Sequence, residues 1–312
     1  MASLSVLCKS QCILGEGPLW MPESNRLMWV DIERGLIFEY DVKEHRTYYR
    51  QLGRRVSLLV PAEDKDCLIL GLQGGLARLS LSDGRLQWMA DIEKEKADNR
   101  CNDGRADTAG RLWVGTMSTR FDTGAGALYL VKEDLTPRRK IGEVSISNGL
   151  VWSPDNARMY YIDTPTQRIQ SFFFDPESGE IAFEKIAVEI PRELGSPDGM
   201  AIDAAGMLWV AHYGGFGVFR WNPFTGRLLE KISLPVPNVT ACTFGGKDLD
   251  TLFITTARQE LSPEELEQYP QSGNLFCIRT NAKGLPANKC SLVPPAGGPA
   301  LQPAPALPFH TE

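Results

Sequence analysis

The chain has 312 residues and a net charge of −6, and it is 43% hydrophobic and 23% charged, the ordinary composition of a globular protein. No Lys/Arg run exceeds a pair such as Arg54-Arg55 or Arg138-Arg139, which argues against nucleic acid as a partner because phosphate binding needs a clustered basic face. No apolar stretch reaches the roughly 18 residues of a membrane-spanning helix, so no membrane partner is expected.

The N-terminal segment MASLSVLCKSQCILGEGP lacks a basic region followed by an apolar core, so it does not read as a secretory signal. The seven cysteines, Cys8, Cys12, Cys67, Cys101, Cys242, Cys277 and Cys290, are scattered, with no CxxC pair. They read as reduced, buried thiols of a cytoplasmic protein. Short apolar runs then recur along the chain: LMWVDI at 27–32, CLILGL at 67–72, LWVGTM at 112–117, MYYIDT at 159–164, LWVAHY at 208–213 and LFITTA at 252–257. Their starts lie 40, 45, 47, 49 and 44 residues apart. A polar turn precedes each run and a second apolar run follows it, such as GLIFEYDV or GVFRWN. Several of these second runs end in hairpin signals such as LSDGR, DPESGE and NPFTGR.

Six copies of this unit predict an all-β fold, a six-bladed β-propeller with a central metal site, spanning residues 1–290. The segment LSVLCKS at 4–10 is expected to add the outer strand of the last blade and close the ring, since an open ring leaves unpaired edges. The only helix signal is Ser262-Pro263-Glu264-Glu265-Leu266-Glu267, a single turn inserted in the last blade. Residues 291–312 hold six prolines in 22 positions and read as a disordered, polyproline-like tail.

If the recurring runs are second strands, residues ten or eleven positions earlier sit near the mouth of the channel. Counting back selects Glu16, Asn102, Asn148 and Asp198, all oxygen-bearing where a purely structural strand would prefer Val, Ile or Phe. Three of them stand in Gly- or Pro-marked segments: Gly15-Glu16-Gly17-Pro18, Ser147-Asn148-Gly149 and Ser196-Pro197-Asp198-Gly199. Each Asn-Gly or Asp-Gly alone could be an ordinary turn. Glu16 is no turn former, and three equivalents in three blades make an oxygen-rich ligand set for Ca²⁺, Mg²⁺ or Mn²⁺. A serine hydrolase is disfavoured: there is no GxSxG, and the three histidines are His45 (a surface position), His310 (in the tail) and His212. His212 reads equally as a channel-wall residue or a structural one.

At these residues the sequence resembles the senescence-marker-protein/gluconolactonase family, which contains sugar lactonases. The similar motifs are GEGPLW (15–20), NRCNDGRADTAGRLWVGTM (99–117), ISNGLVWSPDNARMYYIDT (146–164) and SPDGMAIDAAGMLWVAHYGG (196–215), with GLPAN (284–288) near the end. The resemblance covers roughly residues 10 to 290. It implies one divalent cation held by Glu16, Asn148 and Asp198, with Ca, Zn, Mn, Mg and Fe(II) all admissible. It also implies Arg100 and Asn102 as substrate-binding residues and Asp198 as the catalytic base. In an extended segment Arg100 and Asn102 share one side, so Asp103 is expected to point away as a structural carboxylate. Some animal relatives carry acidic residues where this chain has Ser118-Thr119-Arg120. The expected activity is hydrolysis of a sugar lactone to the aldonic acid, by a monomer or weak homodimer. Two rivals are a propeller phosphotriesterase or aryl esterase and a non-enzymatic calcium-binding propeller.

Overall fold

The structure, a computed structural model, describes residues 3–295 and 297–309, so His310 lies outside the described residues. Each recurring apolar run is a strand starting within one residue of its expected position, at 26, 67, 112, 158, 208 and 251. β-branched and aromatic side chains pack on both faces of these runs, which is why they are almost fully buried. The turns that precede them are closed by residues of positive φ, such as Asn25 and Asn156, for which the left-handed region is accessible.

Six antiparallel sheets result, each with four blade strands in radial order, and two of them gain a fifth strand from the C-terminal segment. The inner strands are Gly15–Met21, Val56–Pro61, Asn99–Ala106, Ser147–Trp152, Ser196–Ile202 and Val239–Gly245. Each packs beside the inner strand of the next blade, and the sixth packs beside the first, which closes the ring. The closure is the expected one: Ser5–Cys8 pairs with Leu275–Arg279 as the outer strand of blade 6. The single α-helix among the described residues, Pro263–Gln268, carries a capping box between Ser262 and Glu265. None of the helices is long and apolar enough to cross a membrane. All seven cysteines are free, and only Cys277 is more than slightly exposed.

The core sits between blades and is built from repeated devices. Asp107 accepts from the indole of Trp113 at 3.0 Å and from Arg111 Nε at 2.7 Å. Asp203 does the same in blade 5, accepting from Trp209 at 3.0 Å and Arg220 Nη2 at 2.6 Å. Losing either carboxylate would strand a buried N–H beside a guanidinium, at a cost of about 3 kcal/mol.

The expectation of a disordered tail is not met by the described residues. Ala300–Leu301 pairs with the outer strand of blade 2, and Leu307–Phe309 pairs with the outer strand of blade 1. Ala304 is buried between them, its carbonyl accepting from Arg50 Nη1 at 2.9 Å. Two free sheet edges offer backbone partners that a proline-rich segment can still use, because every second residue of an edge strand points its N–H away from the sheet.

Candidate active site

The selected residues lie in the inner strands, not in turns. In every blade the pairing register breaks near the start of the inner strand: between Glu16 and Leu19, Val56 and Leu58, Cys101 and Gly104, Asn148 and Leu150, Pro197 and Met200, and Val239 and Ala241. A bulge at this point re-aims a side chain towards the axis. The glycines after Asn148 and Asp198 have a packing cause. A Cβ on Gly149 would come within 2.6 Å of Met200 Cβ and 2.8 Å of the Asp198 carbonyl, and one on Gly199 within 2.5 Å of Ala241 Cβ. Neighbouring inner strands approach so closely around a narrow channel that only glycine fits between them.

Asn102 and Asn148 are joined directly. Asn102 Nδ2 donates to Asn148 Oδ1 at 3.0 Å and to the Ser147 carbonyl at 2.6 Å. Asn148 Nδ2 donates to Thr164 Oγ1 at 2.7 Å, and Thr164 in turn donates to the Pro197 carbonyl at 2.8 Å. Arg100 Nη1 donates to Asn102 Oδ1 and, at 3.0 Å, to the Cys101 carbonyl. Arg100, Asn102, Asn148 and Asp198 are all buried, while Glu16 is partly open to the channel.

Glu16 and Asp198 act on each other electrostatically. Burial, followed by the like charge of Asp103, pushes the Glu16 carboxyl up to about 8. Burial, then Glu16 and Asp103, raises Asp198 well above the usual carboxylate range. Burial brings Arg100 down to about 10. Asp103 therefore belongs to the channel. The expectation that it points away fails because the bulge between Cys101 and Gly104 interrupts the alternation of side chains. Below it the channel widens into a cavity of about 260 Å³, lined by Asp103, Arg105, Leu58, Met200 and Phe244 and bounded by Leu285.

Three further residues hold the site, and the sequence reading passed over them. Asp31 accepts from the backbone N–H of Ile13 at 2.8 Å and of Leu14 at 3.3 Å, fixing the segment that leads to Glu16. Asp163 accepts from Ile146 N–H at 2.9 Å and does the same for Asn148. Thr164 orients the Asn148 amide. The signal was present in the repeat, as the Asp of LMWVDI and the Asp-Thr of MYYIDT. His212 is a structural residue: fully buried, it stacks on Phe219 and its Nδ1 lies 2.9 Å from the Leu194 carbonyl. His45 is exposed.

Among the described residues no group of three or more His, Cys, Asp or Glu side chains is arranged to hold a metal. The set here instead has two carboxylates and an amide oxygen. It suits a hard divalent cation by its donor chemistry: burial and neighbouring like charge penalise the ionised form of both carboxylates, and a dication beside them would favour it. Thr164 takes the amide N–H₂ of Asn148, which turns Oδ1 towards Asn102 and the channel.

The fold is that of a six-bladed propeller whose inner strands carry a hydrogen-bonded group of buried polar side chains with two carboxylates that act on each other. The chain belongs to the SMP-30/Gluconolactonase/LRE-like region family, which it matches over residues 14–258. It is 37% identical over 275 residues to the Bacillus subtilis (strain 168) protein named "Putative sugar lactone lactonase YvrE", covering 88% of this chain and 94% of that one. It is 35% identical over 302 residues to regucalcin of Sus scrofa, covering 92% and 98%. A solved structure of a calcium-binding protein, regucalcin, from Agrobacterium tumefaciens superposes with a TM-score of 0.89 at 28% identity, covering 93% of this chain and 98% of that one.

Proposed function

We propose that this protein is a metal-dependent lactonase that opens sugar lactones to aldonic acids. The observation that carries this reading is the convergence of Glu16, Asn148 and Asp198 on the channel beside Arg100 and Asn102, in a chain whose family includes proteins named for lactonase activity. Glu16, Asn148 and Asp198 would hold a divalent cation, which would supply Lewis-acid polarisation of the lactone carbonyl. Arg100 and Asn102 bind the ring substituents and orient the carbonyl for attack. Asp198 accepts a proton at its carboxylate as water adds to the carbonyl carbon. The bond from that carbon to the ring oxygen then breaks, and the ring oxygen takes the proton. The product is the open-chain hydroxy acid.

The test is proton release from aldonolactones by metal-depleted protein, with single divalent cations added back. Activity should vanish on chelation and return with at least one cation, and Asp198→Asn should remove it while the near-ultraviolet circular dichroism is kept. Full activity in Asp198→Asn overturns the assignment. Turnover of organophosphates or aryl esters alone would favour a propeller esterase instead.

A further inference from the structure

Three arginine side chains are deeply buried in this protein: Arg50, Arg100 and Arg111. Arg111 Nε lies 2.7 Å from Asp107, and Arg50 Nη2 lies 3.8 Å from Glu39. Three more exposed arginines are paired as well. Arg34 is bound to Asp31, Arg55 to Glu33 at 2.7 Å, and Arg120 to Asp98 and Asp122 at 3.2 and 3.3 Å. Of the three buried arginines, Arg100 is the exception. Among the described residues it makes no salt bridge, although it is only 6% exposed. Glu33 and Glu16 act on it at longer range, and Glu16 is committed to the cation in the reading above.

A buried cation without a carboxylate is costly, and the cost falls when an anion is bound beside it. The geometry says which part of the guanidinium is free. Nη1 is used, donating to the Cys101 carbonyl and to Asn102 Oδ1. Nε and Nη2 have no protein acceptor among the described residues, and neither is sealed from solvent. Those two nitrogens form the side-on fork that matches two oxygens of a carboxylate or phosphate. The protein bonds to Nη1 hold the fork in place. Arg55, a third exposed, has its own Nε/Nη2 edge taken by Glu33, at 3.0 and 2.7 Å.

We propose that the Nε/Nη2 edge of Arg100 receives an anionic substituent, a carboxylate or a phosphate, carried by the sugar ring, so that this site selects anionic sugar lactones over neutral ones. The substrate class rests on the lactonase reading; the anion site does not.

The experiment is calorimetric binding of glucose, glucuronate and glucose 6-phosphate to the cation-loaded protein, followed by hydrolysis of gluconolactone and 6-phosphogluconolactone. At least one anionic ring should bind about tenfold or more tightly than glucose, a charge-assisted bidentate pair being worth at least that factor. Arg100→Gln should remove the advantage. Arg100→Lys, which keeps the charge and loses the fork, should keep only part of it. Preference for glucuronate or for glucose 6-phosphate identifies the group as carboxylate or phosphate. Equal affinity for all three rings, or an advantage that survives in folded Arg100→Gln, overturns the proposal. An anionic preference in a protein that hydrolyses no lactone overturns the lactonase reading and leaves the anion site standing.

Discussion

Thr164 Oγ1 accepts from Asn148 Nδ2 at 2.7 Å and donates to the Pro197 carbonyl at 2.8 Å, so one hydroxyl ties the blade 4 ligand to the strand that carries Asp198. Because its own proton is committed to Pro197, it can only accept from Asn148, which sets the amide oxygen towards the channel. Thr164→Val keeps the shape and removes this constraint. We expect cation affinity to fall by about 10- to 100-fold, measured by titration calorimetry, with a stability loss of only about 1 kcal/mol.

Glu16 and Asp198 repel each other in the metal-free protein. Glu16→Gln should therefore leave the metal-free protein as stable as the parent or more stable. The parent should gain about 2.7 kcal/mol when the free cation reaches about 100 times its Kd, and the variant should gain far less at the same concentration. Differential scanning calorimetry with and without chelator reads both effects, and an equal gain in the variant would remove Glu16 from the ligand set.

His212 gives the protein an acid-sensitive element. Burial, with a smaller contribution from Lys231, brings its imidazole from 6.5 down to about 4, against a partly compensating bond to the Leu194 carbonyl. Between those values the unfolded chain binds a proton that the folded chain refuses, so stability falls as pH drops from about 6.5 to about 4 and is level in this respect outside that window. The shift corresponds to about 3 kcal/mol. His212→Asn, which can still donate to Leu194, should be less stable at pH 7 but should show a shallower loss across the window in urea titrations. An unchanged slope would mean that His212 does not set it.

The tail is a strap across two blades. Removing residues 299–312 deletes the strands paired with Gln87–Leu86 and with Thr47–Tyr49, the Arg50 bond to Ala304 and the edge-on contact of Phe309 with Phe38 at 5.0 Å. We expect a loss of about 2–4 kcal/mol and no change in kcat on a lactone, because none of these residues touches the channel ligands. A truncated chain with the parent's melting temperature would show that the strap contributes nothing to stability.

Most of the architecture was legible because a propeller writes its period into the chain. Leu27, Cys67, Leu112, Met159, Leu208 and Leu252 each lie in or at the start of a second strand, and counting back from them reached Glu16, Asn102, Asn148 and Asp198. The count could not see why Gly149 and Gly199 follow two of those residues, since the strand that excludes a side chain there belongs to the next blade. It misplaced Asp103 because a bulge shifts the alternation by one, and bulges carry no marker in a single sequence. It misjudged residues 291–309 because composition describes what a segment does alone, whereas Ala300–Leu301 and Leu307–Phe309 are ordered by edges formed some 210 to 260 residues earlier.

Sequence by itself determined the number of blades, the strand positions and the closing N-terminal strand. These follow from local periodicity and from residue chemistry, which a linear reading contains. Only the tertiary structure decided that Thr164 turns the oxygen of Asn148 inward, that Asp103 joins Glu16 and Asp198, and that Arg100 keeps its fork unpaired. The joining of Asp103 to Glu16 and Asp198 depends on groups brought together from three blades, where distance and burial, and not sequence separation, set the electrostatic energy.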